Sequence, residues 1–232
     1  VDYLDAAHDR YNMTPVQFCA EHDWLGNDVW FAHLVKLLPQ EITLLGDSRT
    51  GIAHCPQSNG RLGSGIADML ALEQAGVPVS LGVDGAASNE AADMQSEAHA
   101  AWLLQRARKG MFATPRYDGG TFEGGGDAAT IEDVVRWGSA GGAQILGLPQ
   151  SGTVQVGMLA DIAVYRLDDP RYFGLHDMAI GPVACGGRAS LKALMINGRV
   201  IVENDHIPGL DLDAMRHQAI SAVRTLQQRA AG

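Results

Sequence analysis

Three short apolar runs constrain this chain more than any other feature, because each ends on a group that can bind metal or carry a proton. Residues 29–33 read Val-Trp-Phe-Ala-His, residues 50–54 read Thr-Gly-Ile-Ala-His, and residues 77–84 read Val-Pro-Val-Ser-Leu-Gly-Val-Asp. Runs of this length, bounded by glycine and proline, predict buried strands. Helical stretches separate them, and parallel strands joined by helices place all their C-terminal ends on one face. Such a fold carries His33, His54 and Asp84 to a common site. That convergence points to an enzyme that uses a metal.

The chain has 232 residues, enough for one large domain or for one domain with a small second one. A net charge of -10 disfavours nucleic acid and anionic membranes as partners. Cys19, Cys55 and Cys185 are far apart and form no C-x-x-C pair, which argues against a disulfide framework or a cysteine zinc site. A reducing cytoplasm is the expected compartment. No apolar run approaches the ~18 residues of a membrane span, and no signal peptide pattern is present. Residues 1–8 read as mid-helix with no capping residue ahead. The expectation is either the later part of a longer protein, where further site ligands could lie upstream, or a chain whose numbering restarts.

Local signals divide the rest. Thr14-Pro15 predicts a helix N-terminus, and Pro39 opens another helix. Residues 56–65 are polar and glycine-rich and read as a wide loop over the active-site face. A helix is expected over 66–75, stopping at Gly76, and a long one over 90–109, stopping at Gly110. Residues 117–127 contain five glycines and read as an exposed loop. Thr130 and Asp133 form a capping-box variant whose helix is expected to be interrupted at Gly141-Gly142. Beyond Pro149 the pattern turns to strands, with Val154, Val156, Ile162, Val164 and Tyr165 as strand residues. Asn197-Gly198 predicts a type I′ hairpin over 192–202. The tail Leu212–Ala230 reads as a helix. Three units follow: 1–148 as β/α alternation, 149–205 as a small β module, and 206–232 as a C-terminal helix. Strand ends carrying reactive groups suit a (β/α)8 barrel, with a doubly wound sheet as competitor. The glycines of 60–65 fit neither a dinucleotide fingerprint nor a P-loop.

Asp84 is the leading candidate, a hard ligand able to take a proton from an activated water. His33 stands at a matching strand end. His54 either lines the pocket or orients the Ser58-Asn59 loop, and Cys55 reads as a buried small hydrophobe. His8, His22, His99, His176 and His206 read as solvated or capping residues without partners. Asp93 and Glu97, four residues apart on a helix, read as facing solvent.

These segments together resemble the amidohydrolase superfamily. The resemblance rests on Phe-Ala-His33-Leu, Gly51-Ile-Ala-His-Cys-Pro-Gln-Ser-Asn59, Leu62-Gly-Ser-Gly-Ile66 and Leu81-Gly-Val-Asp-Gly-Ala-Ala-Ser-Asn89. The branch is the cytosine deaminase-like and chlorohydrolase-like one. Residues 152–164 resemble its returning β-sandwich strand, and 193–203 its final hairpin. The resemblance implies the C-terminal part of a metal-dependent (β/α)8 barrel with a small β-sandwich module. It also implies one divalent metal ion, usually zinc and sometimes iron. Asp84 matches the metal-binding aspartate after barrel strand eight, and His33 the strand-six histidine beside the attacking water. His54 falls at the strand-seven end, and the resemblance transfers no catalytic role to it. The family's His-x-His and His-x-x-Glu motifs are absent and are expected upstream of Val1, so the segment alone is expected to be inactive.

Residues 57–65 are most similar to the 8-oxoguanine deaminases, which implies hydrolysis of an oxidised purine to urate and ammonia. The alternatives within the branch are a triazine, an S-adenosylhomocysteine-like amine or a chloride leaving group. Of another class is a non-catalytic fragment or metal-free binding scaffold. A small heterocycle is the expected partner, and the resemblance extends the family's frequent dimer formation to this chain.

Overall fold

Helix starts are where local chemistry is most visible. The computed structural model describes residues 2–112 and 128–231, so the glycine-rich stretch 117–127 lies outside the described residues. After α1 (Asp2–Tyr11), α2 (Pro15–Glu21) opens on Thr14. The Thr14 hydroxyl accepts from Gln17 N, and the Gln17 side chain accepts from Thr14 N in return. This satisfies two of the amides that a helix start leaves without partners. Strands β1 (Trp30–Ala32), β2 (Gly51–His54) and β3 (Val79–Leu81) alternate with α3 (Pro39–Ser48), α4 (Pro56–Arg61) and α5 (Met69–Gln74). They form one parallel sheet in the order β1-β2-β3, with Ala32 opposite Ala53 and His54 opposite Leu81.

The sheet is covered by α6 (Met94–Phe112), α7 (Ile131–Arg136) and α8 (Gly142–Ile145), with a π-helical turn over Trp137–Gly141 between the last two. Thr130 caps α7 as its sequence predicts, accepting from Asp133 N while Asp133 accepts from Thr130 N. The interruption expected at Gly141-Gly142 is this π turn. A Cβ on Gly141 would lie 2.0 Å from Val79 O, so only glycine lets the turn rest against β3. The core joins Leu45, Ile52, Met69, Leu72, Val79, Leu81, Val134 and Trp137. The indole of Trp137 is fully buried and donates to Glu73 Oε1 at 3.1 Å, while Arg136 pairs with Glu73 at 2.5 Å.

A second layer follows in sequence. Strands β4 (Ile162–Tyr165), β5 (Leu191–Ile196) and β6 (Arg199–Glu203) form an antiparallel sheet. The β5–β6 hairpin turns at Asn197 and Gly198, with φ 48° and 75°, as a type I′ turn requires. Short helical turns lead to α9 (Gly181–Ala184), and α10 (Leu212–Ala230) closes the chain with no buried residue.

The structure corrects several expectations. The three parallel strands are shorter than their apolar runs. Residues 56–61 form α4 instead of open loop, because Pro56 sits at the first helical position and Ser58 and Asn59 are buried against the strand ends. Helix α6 begins at Met94, not near residue 90, since residues 85–89 are held as a turn by Ser88 N and Asn89 N on Gly85 O. It also runs through Gly110. Val154 and Val156 lie outside the strands and are exposed at 78% and 108%.

Candidate active site

The strand register fixes where the reactive groups stand. His33 follows the last residue of β1, and its backbone N donates to Ala53 O at 3.0 Å. His54 is the last residue of β2. Gly82 N donates to His54 O at 2.9 Å, and Asp84 lies two residues further on. Both His33 and Asp84 have left-handed backbone, with φ 72° and 62°. Such φ values are uncommon away from glycine and concentrate at functional sites.

The side chains of His33 and Asp84 meet. His33 Nε2 lies 3.6 Å from Asp84 Oδ2, and the two side chains are 37% and 33% exposed, so the pair opens to solvent. His33 Nδ1 is 2.8 Å from Asn59 Oδ1. An amide oxygen accepts, so this bond puts the proton on Nδ1 and turns Nε2 toward Asp84. Asp84 Oδ2 accepts from Ser58 Oγ at 2.6 Å and from Ser88 Oγ at 2.9 Å. Ser58 first, then the Gly85 amide and Ser88, hold the Asp84 carboxyl below its ordinary range, with a smaller contribution from His33. Its ionised form is thereby favoured near neutral pH.

His54 takes a different place. Its ring is fully buried, and neither nitrogen has a hydrogen-bond partner among the described residues. Burial first, and His33 second, bring its pKa down to about 4, so it is neutral at pH 7. A direct substrate contact would require the ring to reach the surface. The described residues thus enclose the His54 ring, at the end of the strand where the sequence leads one to expect a pocket wall. Cys55 is buried as expected, and burial, Asp84 and Glu97 push its thiol up to about 12.

Sequence reasoning missed Glu97. It is fully buried, not solvent-facing. Its Oε2 accepts from Gln57 N at 3.2 Å, and Oε1 accepts from Asn89 Nδ2. Burial raises its carboxyl to about 7, against the opposing effect of these two bonds. Only the long helix on which it lies was visible in the sequence. The i, i+4 spacing with Asp93 suggested an outer face, and the helix start set four residues early hid the true one. His99 is likewise not solitary, since its Nδ1 lies 2.7 Å from Val183 O.

A divalent metal is tested by the donors present. Asp84 suits a hard ion as an ionised oxygen donor, with His33 as its imidazole neighbour. Catalytic zinc takes three protein ligands. Among the described residues no group of three or more His, Cys, Asp and Glu could hold a metal. Asp84 therefore fits one corner of such a site, not the whole.

The amidohydrolase family model matches residues 2–201, and the chain belongs to that family. It is 61% identical over 226 residues to an isoxanthopterin deaminase from an unknown prokaryotic organism, covering 97% of this chain and 47% of that protein. An 8-oxoguanine deaminase of Pseudomonas aeruginosa is 36% identical over 224 residues, covering 96% and 46%. The crystal structure of atrazine chlorohydrolase TrzN from Arthrobacter aurescens TC1 complexed with zinc matches with a TM-score of 0.83 at 29% identity, covering 94% and 46%. The chain spans about half the length of the curated relatives it matches.

Proposed function

We propose that this chain supplies one side of the active site of a metal-dependent hydrolytic deaminase acting on an oxo-bearing fused heterocycle. The observation that carries this reading is the Asp84–His33 pair at adjacent strand ends, with two serine hydroxyls fixed on Asp84. Isoxanthopterin is the first substrate to test and 8-oxoguanine the second. The order expected from the local motif is reversed because the isoxanthopterin deaminase is the more similar relative, at 61% against 36%.

In this reading water adds to the carbon that carries the exocyclic amine. A C–O bond forms, the C–N bond breaks, and ammonia leaves. Asp84 would hold the metal, with the other ligands upstream of Val1, and residues 1–148 would form part of a (β/α)8 barrel. The chemistry that such an ion supplies when bound is a water pKa brought near 7. Asp84 accepts the proton of the attacking water and hands it to the departing amine. His33, anchored on Asn59, presents Nε2 to the tetrahedral carbon and, when protonated, donates to the developing charge. Ser58 and Ser88 keep Asp84 ionised and oriented.

The test uses the intact protein, its zinc and iron content measured by elemental analysis. Ammonia release is followed with isoxanthopterin, 8-oxoguanine and S-adenosylhomocysteine, and chloride release with atrazine. Ammonia from one of the oxo heterocycles, reduced about 10²–10⁴-fold in Asp84→Asn, supports the reading. Undiminished turnover by Asp84→Asn refutes it. So does a protein that holds no metal and turns over none of the four.

A further inference from the structure

The two hydroxyls that orient Asp84 come from Ser58, in α4, and Ser88, in the turn after β3. These segments are 30 residues apart in sequence, and a single buried side chain joins them. Glu97 Oε2 accepts from Gln57 N, the amide one residue before Ser58. Glu97 Oε1 accepts from Asn89 Nδ2, one residue after Ser88. Asn89 Nδ2 also donates to Val83 O at 2.9 Å, on the residue before Asp84. Beside it, Gln57 Nε2 donates to Ser96 Oγ at 2.6 Å, tying α4 to the same turn of α6.

We infer that Glu97 is a positioning residue for Asp84, setting the placement of both serine hydroxyls through Gln57 and Asn89. The inference rests on the role proposed for Asp84. The physical reason is geometric. A hydrogen bond weakens steeply once it lengthens or bends, and both bonds to Asp84 Oδ2 depend on where short backbone segments lie. Neither segment is a long regular element. Segment 56–61 is one short helix, and 85–92 is a turn with Ala92 at φ 46°. A fully buried carboxylate with one partner on each is therefore the tie that makes their separation fixed. Burying such a group is costly unless it is hydrogen-bonded, and here both oxygens have a partner.

The test compares Glu97→Gln with Glu41→Gln in the intact protein, reading kcat, KM and thermal unfolding together. Glu41 is also buried, but the hydrogen bond it accepts is from Leu38 N at the start of α3, and it bonds neither Gln57 nor Asn89. Both variants are expected to lower Tm. Only Glu97→Gln is expected to lower kcat per folded molecule, by about 10–100-fold, with KM within about threefold. In a Ser58→Ala, Ser88→Ala background the same change should cost less than about threefold, because the hydroxyls it acts through are gone. A Glu97→Gln protein with kcat within threefold of the parent overturns the inference and leaves a merely structural carboxylate. Fully multiplicative effects of Glu97→Gln and the serine changes overturn it too. Undiminished turnover by Asp84→Asn instead removes the role of Asp84 itself, a different pattern from an inactive Asp84→Asn beside a normal Glu97→Gln. Should Glu97→Gln fail to fold, Asn89→Ser breaks the same contact from the other side and is judged by the same limits.

Discussion

Glu97 should leave its mark on the pH dependence of folding, and the size follows from its surroundings. The folded carboxyl titrates at about 7 against an ordinary value of 4.5, chiefly because it is buried, with Asp93 and Asp84 adding repulsion. The folded chain thus binds this proton more tightly than the unfolded chain does. The stabilisation is complete below pH 4.5 and is lost as pH rises through 7. Between these limits the slope is about 1.4 kcal/mol per pH unit, for a total of about 3 kcal/mol. His54 slopes the other way. Its pKa falls from 6.5 to about 4, so its contribution is complete above 6.5 and is lost as pH falls through 4. From pH 4.5 to 6.5 the two slopes oppose each other, and the parent protein alone is a poor reporter. The informative quantity is parent minus Glu97→Gln, measured by urea unfolding of the intact protein at several pH values. The parent should lose about 3 kcal/mol relative to the variant between pH 4.5 and 7, then no more. A difference that is flat across that window, or that favours the parent as pH rises, refutes the account of a carboxyl made basic by burial.

Other changes test the rest of the structure. His54→Gln removes the opposing slope, so that variant should lose stability steadily from pH 4.5 to 7 in the same urea series. Gly141→Ala places a methyl 2.0 Å from Val79 O and should cost about 1–3 kcal/mol, read as a lower Tm. Thr130→Ala removes the hydroxyl that accepts from Asp133 N and should cost about 1 kcal/mol in denaturant unfolding.

What could be read from the sequence was what depends on neighbours a few residues apart. The Asn197-Gly198 turn and the Thr14 and Thr130 caps follow from such local chemistry, and all three stand where the sequence put them. The three apolar runs also gave the parallel sheet, because the alternation with helices leaves few other topologies. The errors lie where distant partners decide. Residues 56–61 look like loop by composition, yet Ser58 and Asn59 are claimed by Asp84 and His33, and the segment closes into α4. Glu97 looks like a surface carboxylate, yet Gln57, 40 residues away, and Asn89 satisfy it inside. Gly110 predicts a stop, yet α6 continues to Phe112. A glycine permits a helix end without demanding one. Val154 and Val156 carry strand-forming side chains but pair with no strand among the described residues.

The left-handed backbone at His33 and Asp84 also dictates how this site can be cut without being bent. Asparagine tolerates that conformation, whereas alanine and β-branched residues resist it. Asp84→Asn and His33→Asn therefore remove a charge or a ring with little backbone strain. An alanine or valine at either place adds a conformational penalty of about 1–2 kcal/mol and tilts the turn that carries its neighbours. A scan by alanine would overstate the chemistry of both residues, and a mutational library at these positions would be filtered first by backbone geometry and only then by catalysis.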